Sequence, residues 1–431
     1  MPLDPHSTTP RSIAVIGGGI SGMGAALMLG DDHRVTLYEA EPRLGGHART
    51  LMAGKRGDQP VDTGFIVFNR ANYPHMVSLF ERLEVPIAAS DMSFSASLRG
   101  GEMEYGLQNL AALFAQRRNA VNPRFLRMIR DILRFNARAV EESRDPTLTL
   151  GDFLERLGTG PWFRDYYLLP LSGAIWSTPT EKILDFPAQA LVRFFDNHAL
   201  LHHTGQHQWY TVRGGSVQYV TRMTEALRAQ GADLRTGAPI AGVRRTVSGV
   251  EVRAEGGEWE HYDEVVFATH SDDTLRLLSD ATPSESAALG KIRYQPNRVV
   301  LHADPRMMPR RRACWSSWNY TEDARKEMNA IDLTYWMNRL QPIPQDDPLF
   351  VTLNSTREIR EDLIHDETTM RHPVYDMGAL EGQAEVRAMN GRAGTWFCGA
   401  WMRNGFHEDG LASAVEVAEA LRGRLAAGVA A

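Results

Sequence analysis

A short apolar run that ends in three consecutive glycines and opens into a helix commits the start of this chain to one kind of architecture. Ile13-Ala14-Val15-Ile16 reads as a buried strand, closed by Gly17, Gly18 and Gly19. Ile20 and Ser21 follow, and Gly22 opens a helix rich in Ala and Leu. Glycines at these places allow a tight turn and the approach of a diphosphate to the helix N-terminus, whose unpaired N–H groups attract anions. A second strand over residues 34–38 then delivers Glu39, 17 residues after Gly22. An acid there can accept hydrogen bonds from both hydroxyls of a ribose. Strand, glycine turn, helix, strand and acid in this order predict a parallel βαβ unit that binds a dinucleotide.

The next residues narrow the dinucleotide. After Glu39 and Ala40 come Glu41-Pro42-Arg43-Leu44-Gly45-Gly46-His47-Ala48-Arg49-Thr50. Gly45 and Gly46 form a second place where backbone can approach a diphosphate or a flavin, and Arg43 brings a fixed positive charge with forked donors. A simple nicotinamide unit needs no such loop, so the pair of glycine turns points to FAD. This arrangement resembles the second signature of the FAD-dependent amine oxidase and phytoene desaturase superfamily. That family often carries Arg directly after the Gly-Gly pair, where this chain has His47, with Arg49 as the substitute.

Four further segments resemble the same superfamily, in order. They are Val61-Asp62-Thr63-Gly64-Phe65 beside the flavin, and Val212-Arg213-Gly214-Gly215-Ser216 where the chain returns from the substrate domain. Val243 sits where the family holds adenine by backbone hydrogen bonds. Phe397-Cys398-Gly399-Ala400 with residues 405–412 resembles the C-terminal flavin motif. There a helix starting near Leu411, capped by Asp409 or Gly410, would aim its positive end at the flavin. The resemblance implies noncovalent FAD held by Gly17, Gly19, Ile20, Ser21, Gly22, Glu39, Ala40, Arg43, Gly45, Gly46, His47, Thr63, Gly64, Phe65, Val243, Gly399, Asp409, Gly410, Leu411 and Ala412.

A narrower likeness lies in Gly173-Ala174-Ile175-Trp176-Ser177-Thr178-Pro179, Gln208-Trp209-Tyr210-Thr211-Val212, Ser317-Trp318-Asn319-Tyr320 and residues 401–410. These are similar to a bacterial flavoprotein group associated with cyclopropane-fatty-acyl-phospholipid synthases, one branch of which desaturates methyl-branched acyl chains on the way to furan fatty acids. The likeness implies a lipid acyl chain as substrate, dehydrogenated by hydride transfer to flavin N5. Catalytic candidates are His407, Glu408 and His47, with His270 as a further guess at the base. Trp176, Trp209, Trp318 and Trp336 are candidates to line an apolar pocket. Two other readings share the scaffold: an amine or amino-acid oxidase, and a non-catalytic flavoprotein partner of a lipid methyltransferase.

With 431 residues the chain is long enough for two domains. The expected fold is α/β, a Rossmann-like FAD-binding domain of glutathione-reductase type with an inserted substrate domain. The FAD part takes residues 1–90, 205–295 and 391–431, and the substrate part 91–204 and 296–390. Helices are expected over residues 108–114, 123–142, 150–157, 187–201, 272–278 and 411–425. Alternating strand patterns recur over residues 232–253, 262–269, 298–302, 349–353 and 395–399. A net charge of −6 gives no reason to expect nucleic acid. Two cysteines, Cys314 and Cys398, fit a reducing compartment. No signal peptide is visible and no run of about 18 apolar residues exists, so the expected place is cytoplasmic or peripheral on the inner membrane face.

Residues 123–142 stand apart. On a helical wheel Phe125, Met128, Ile129, Ile132, Leu133, Phe135 and Val140 cover one half, while Arg127, Arg130, Arg134 and Arg138 stripe the other. Such a basic helix in an acidic chain suits either an anionic membrane surface or a core helix with a solvated face. Met307-Met308-Pro309-Arg310-Arg311-Arg312 repeats the combination of apolar and basic residues. His198, His202, His203 and His207 have metal-like spacing, but Gly205 interrupts them and no carboxylate accompanies them, so no metal is expected.

Overall fold

The computed structural model describes residues 10–178, 180–202, 205–322 and 331–429. Pro179 of the glycine–tryptophan segment and His203 of the histidine group therefore lie outside the described residues. Ser12–Ile16 is the central strand of a five-stranded sheet in the order Asp233–Thr236, Arg34–Glu39, Ser12–Ile16, Glu264–Phe267, Thr395–Phe397. Every pairing in it is parallel. Such a sheet is covered on both faces, which is why its strands read as near-continuous apolar runs. The chain first builds outward on one side of Ser12–Ile16 and then returns to the other. The direction of build reverses beside Glu264–Phe267, and a crevice opens at the carboxyl ends of these two strands. The Ile20–Leu29 helix packs against the C-terminal His407–Val429 helix on one face of the sheet. Ile240–Thr246, Gly249–Ala254 and Trp259–Tyr262 form a three-stranded antiparallel meander in the connection before Glu264–Phe267.

A second, seven-stranded sheet runs Ile364–Val374, Arg293–His302, Phe350–Leu353, Leu333–Trp336, Trp318–Thr321, Phe94–Leu98, Met103–Gly106. One face carries a helical layer that includes Pro123–Glu142, Leu150–Leu157, Leu169–Trp176 and Ala188–Asn197. Phe125, Phe135, Phe153, Phe163 and Phe195 of that layer join the sheet's Leu333 and Val351 in one buried cluster. The helices expected over 123–142 and 150–157 are present with those bounds. The one expected over 108–114 shrinks to Leu110–Leu113, and residues 187–201 to Ala188–Asn197. The Met377–Met389 helix, which the sequence division gives to the substrate part, packs Ala379, Val386 and Met389 against Val265 and Phe397 of the parallel sheet. Among the described residues no helix is long and apolar enough to cross a membrane.

The closing helix begins at His407, four residues before the expected start. Glu408, Asp409 and Gly410 thus lie inside its first turn, where Gly410 N–H bonds the Phe406 carbonyl at 3.1 Å. Asp409 reaches back to accept from the Phe406 N–H at 2.9 Å and the Asn404 N–H at 3.2 Å. Glu408 points to a different element. The Pro74–Arg82 helix has no side-chain cap of its own. Glu408 supplies one, accepting from His75 N–H at 3.0 Å and Met76 N–H at 2.9 Å. Both carboxylate oxygens accept from that helix end, which gives Glu408 a structural role as an inter-helix cap beside its expected catalytic one. Glu408→Ala should lower the unfolding free energy by about 1–3 kcal/mol, measured by urea titration, and leave turnover of the FAD-loaded fraction near the parent value. A fall of about a hundredfold or more, the scale of a lost general acid or base, would bear out the catalytic role.

Candidate functional site

The two glycine turns meet at the crevice. Gly45 N–H donates to the Gly18 carbonyl at 2.8 Å, and Gly19 pairs with Gly45 as an isolated parallel bridge. A Cβ on Gly46 would stand 3.1 Å from Gly19 Cα, and a Cβ on Gly22 would fall 1.7 Å from the Gly17 carbonyl oxygen. Gly22 has no room for a side chain, and at Gly46, whose φ is +55°, the facing turn would have to give way. The Ile20–Leu29 helix, with Ile20, Ser21 and Gly22 in its first turn, has no side-chain cap and no acid there. Its leading N–H groups are therefore available to an anion. Glu39 closes the far side, accepting from Gly18 N–H at 2.6 Å and Glu41 N–H at 2.8 Å, while Ala40 is exposed beside it.

Two cofactor assignments change in kind. Arg43 spends its forked donors on the loop, on the carbonyls of Ala48 at 3.1 Å and Gly46 at 3.0 Å, with Glu41 as ion partner. It shapes the second glycine turn instead of presenting a free cation. Val243 lies buried on the Ile240–Thr246 strand, and its carbonyl already accepts the Ser279 N–H at 2.8 Å. An adenine there would have to share that oxygen.

Thr63, Gly64 and Phe65 pass directly over the second glycine turn. Phe65 N–H donates to the His47 carbonyl at 3.0 Å, and Thr63 N–H to the Arg49 carbonyl at 2.9 Å. The Phe65 ring stacks on His407 with centroids 4.0 Å apart. His407 Nε2 meets the Tyr219 hydroxyl at 2.9 Å. Gly399 N–H is held by Ser413 Oγ at 2.9 Å, whose own hydroxyl donates to the Gly410 carbonyl at 2.7 Å. Leu411 and Ala412 are buried, Leu411 in the cluster that holds the first helix. The C-terminal motif and the N-terminal fingerprint thus face one crevice, as a Cβ on Gly410 only 2.7 Å from Ser21 Oγ attests.

Four histidines gather where the parallel sheet meets the Arg293–His302 and Ile364–Val374 strands. The His47 ring lies 5.8 Å from that of His270 and 5.6 Å from that of His372. Burial pushes His270, His372 and His407 down to about 3, and lowers His47 as well. All four are deep yet keep partial contact with solvent, as groups lining an internal cleft do. Asn297 donates to His372 Nδ1 at 2.8 Å, which leaves the ring proton on Nε2. His270 stacks on Tyr294 at 4.3 Å. The buried Nε2 of His47 has no partner. Asp272 and Asp273 come close to His270, but the Arg371 guanidinium holds both carboxylates. His372, Tyr294 and Asn297 escaped the sequence reading because single residues within long strands carry no spacing signature.

The four tryptophans do not form one pocket. Trp176 packs on Phe194 at 4.9 Å inside the helical layer, and Trp209 lies near Tyr73 and His198 in the cluster of the parallel sheet. Trp318 pairs with Tyr335 across neighbouring strands. Trp336, one residue further, must therefore face the other side of the sheet, where it meets Trp315 at 5.3 Å and Arg312 at 4.6 Å. Trp336 thus lies apart, while Trp176 and Trp209 border Phe194 and His198, two rings that stack on each other. His198 stacks on Phe194 and His207 bonds the Asn197 carbonyl, so these two serve local packing.

The crevice suits a flavin dinucleotide. It offers an uncapped helix end, two glycine turns with no room for a Cβ, an acid at the ribose position and an orphaned imidazole nitrogen. Comparison with known proteins agrees. Residues 20–422 match the family of flavin containing amine oxidoreductases. The coproporphyrinogen III oxidase of Mycobacterium tuberculosis is 36% identical over 113 residues, 24% of this chain and 22% of that protein. The alignment thus spans about a fifth of the relative's length. The chain resembles in fold a CLA-producing fatty acid isomerase from P. acnes, with a TM-score of 0.66 at 14% identity over 97% of this chain and 99% of the other. Cyclohexylamine oxidase from Brevibacterium oxydans gives 0.67 at 14% identity over 96% and 99%. FAD is the cofactor, and the chain belongs to the flavin-containing amine oxidoreductase family.

Proposed function

We propose that this oxidoreductase dehydrogenates a fatty acyl chain, with a methyl-branched unsaturated chain of a membrane phospholipid as its substrate class. The observation that carries the reading is the neutrality of the cleft. His270, His372 and His407 are held uncharged by burial, and Phe65, Tyr294 and Phe406 supply apolar surface beside them. The carboxylates nearby are spent, Asp272 and Asp273 on Arg371 and Glu408 on a helix end. A protonated amine would enter this setting without a counter-charge, whereas an acyl C–H carries none.

Bound FAD supplies the two-electron acceptor for removal of a hydride. In this reading the five-stranded parallel sheet with its meander is a FAD-binding domain of glutathione-reductase type, and the seven-stranded sheet with its helices is the inserted substrate domain. The free N–H groups at Ile20 and Ser21 hold the diphosphate and Glu39 the ribose. His47 Nε2, buried without a partner, is left to hydrogen bond the flavin or the substrate. Tyr219 fixes His407, and Asn297 fixes His372 with its proton on Nε2, so both rings stand oriented at the cleft. The proton leaving the neighbouring carbon passes to solvent, since burial holds the imidazoles of the cleft neutral. An allylic or branched position is required, because a plain alkane C–H is too weakly acidic.

Neutrality has a thermodynamic signature. A histidine whose folded value is depressed to about 3 contributes stability that is present above the unfolded value of 6.5 and is lost as pH falls toward the folded one. Between about pH 7.5 and 5.5 each such residue should cost about 1 kcal/mol. His372→Asn should remove that increment from the loss measured by urea unfolding at the two pH values. An unchanged pH slope would mean that His372 is charged in the folded protein. The activity itself is tested by the lipid profile of a strain lacking this chain. Loss of a branched, more highly unsaturated acyl species is expected, with its methyl-branched precursor, poorer by one double bond, accumulating. An unchanged acyl profile would overturn the reading.

A further inference from the structure

We propose that the face formed by the Pro123–Glu142 helix and its neighbours docks on an anionic lipid bilayer. At 100° per residue, Phe125, Met128, Phe135 and Ala139 of this helix point into the core and are buried. Toward one edge of its exposed arc lie Leu126, Leu133 and Val140, which are 44%, 54% and 48% exposed. The outermost positions hold the exposed Arg130, Ala137 and Glu141, with Arg134 and Arg127 further round the same arc. Three exposed aliphatic side chains bordered by arginines make the outer surface itself amphipathic. The helix's one buried acid, Asp131, is taken by the Gly160 N–H at 3.0 Å and by Arg130.

The fold extends this face with segments that are remote in sequence. Leu110 and Val121, from the turns just before the helix, are 74% and 81% exposed. Gln108 donates to the Ala313 carbonyl at 3.2 Å, which seats the exposed Arg310 and Arg312 beside Leu110. Met307 and Met308 are buried, so that loop contributes charge and not apolar surface. Residues 117–144 hold eight Arg against Asp131, Glu141 and Glu142, a surplus of five positive charges in a chain of net −6. Protruding aliphatic side chains beside arginines match the boundary between anionic headgroups and acyl chains. A second copy meeting the same face would set arginine against arginine. The inference stands on this surface alone and holds whichever bond the enzyme oxidises.

The test is co-sedimentation of the FAD-loaded protein with vesicles of phosphatidylglycerol and phosphatidylcholine, compared with phosphatidylcholine alone. Partition should favour the anionic vesicles by at least about tenfold and collapse at about 0.5 M salt. Leu133→Asp with Val140→Asp should weaken it by at least about tenfold, as should Arg127→Glu with Arg134→Glu, with FAD content and urea midpoint unchanged. These side chains are exposed, so neither variant threatens folding. Absence of binding to the anionic vesicles, equal binding by parent and variants, or a stable dimer that Leu133→Asp dissociates would each overturn the proposal. None of these readouts needs turnover, so failure of the acyl-chain reading would leave them unaffected.

Discussion

The close approach of two backbone turns at Gly19 and Gly46 is the constraint on which the rest of the site depends. The Gly18 carbonyl and Gly45 N–H hydrogen bond at 2.8 Å because no Cβ keeps the turns apart. That contact places His47 and then Phe65 over the cleft. It also leaves the leading N–H groups of the Ile20–Leu29 helix without a side-chain partner. Asp62 secures the arrangement from below. It accepts from Thr50 Oγ1 at 2.5 Å, Ser216 N–H at 2.9 Å, Ser216 Oγ at 2.7 Å and Gln341 Nε2 at 2.9 Å. One buried carboxyl, pushed up to about 6 by loss of solvent, thus ties together the second glycine loop, the return turn and the segment that follows the Leu333–Trp336 strand of the other sheet.

Burial decides the chemical character of the cleft. Four imidazoles packed at the meeting of two sheets cannot afford charge, because a cation there would lose its hydration with no free acid to replace it. The acids that might have served are diverted: two to Arg371, one to a helix end, one to the backbone around Phe406. What remains is a site of neutral donors and acceptors on rigid strands, able to orient an uncharged substrate and to exclude water.

Much of the cofactor half was legible in the chain because backbone constraints write themselves into composition. Glycine is needed at 17 and 22, and a buried parallel strand must be apolar, so Ser12–Ile16, its turn and Glu39 could be placed from residues alone. The same holds for Pro123–Glu142, whose period is strong and whose start is marked by Pro123. What could not be read depends on partners far away in sequence. Glu408 looked catalytic beside a flavin motif, and its structural role is set by the uncapped helix at Pro74–Arg82. Trp318 and Trp336 are both aromatic and near in sequence, yet the register with Tyr335 sends them to opposite faces. Val243 was correctly placed on a strand, while its occupied carbonyl depends on Ser279. His372 gave no signal at all, since a single inward position in an eleven-residue strand has no period to betray it.

The central claim is that this cleft oxidises an uncharged acyl C–H and not an amine. It is tested most directly by mixing the purified FAD-loaded protein, without oxygen, with phospholipids bearing methyl-branched unsaturated chains and separately with a panel of amines and amino acids. The account predicts bleaching of the flavin absorption by the branched lipid and none by the amines. Bleaching by an amine, with the lipids inert, would contradict it.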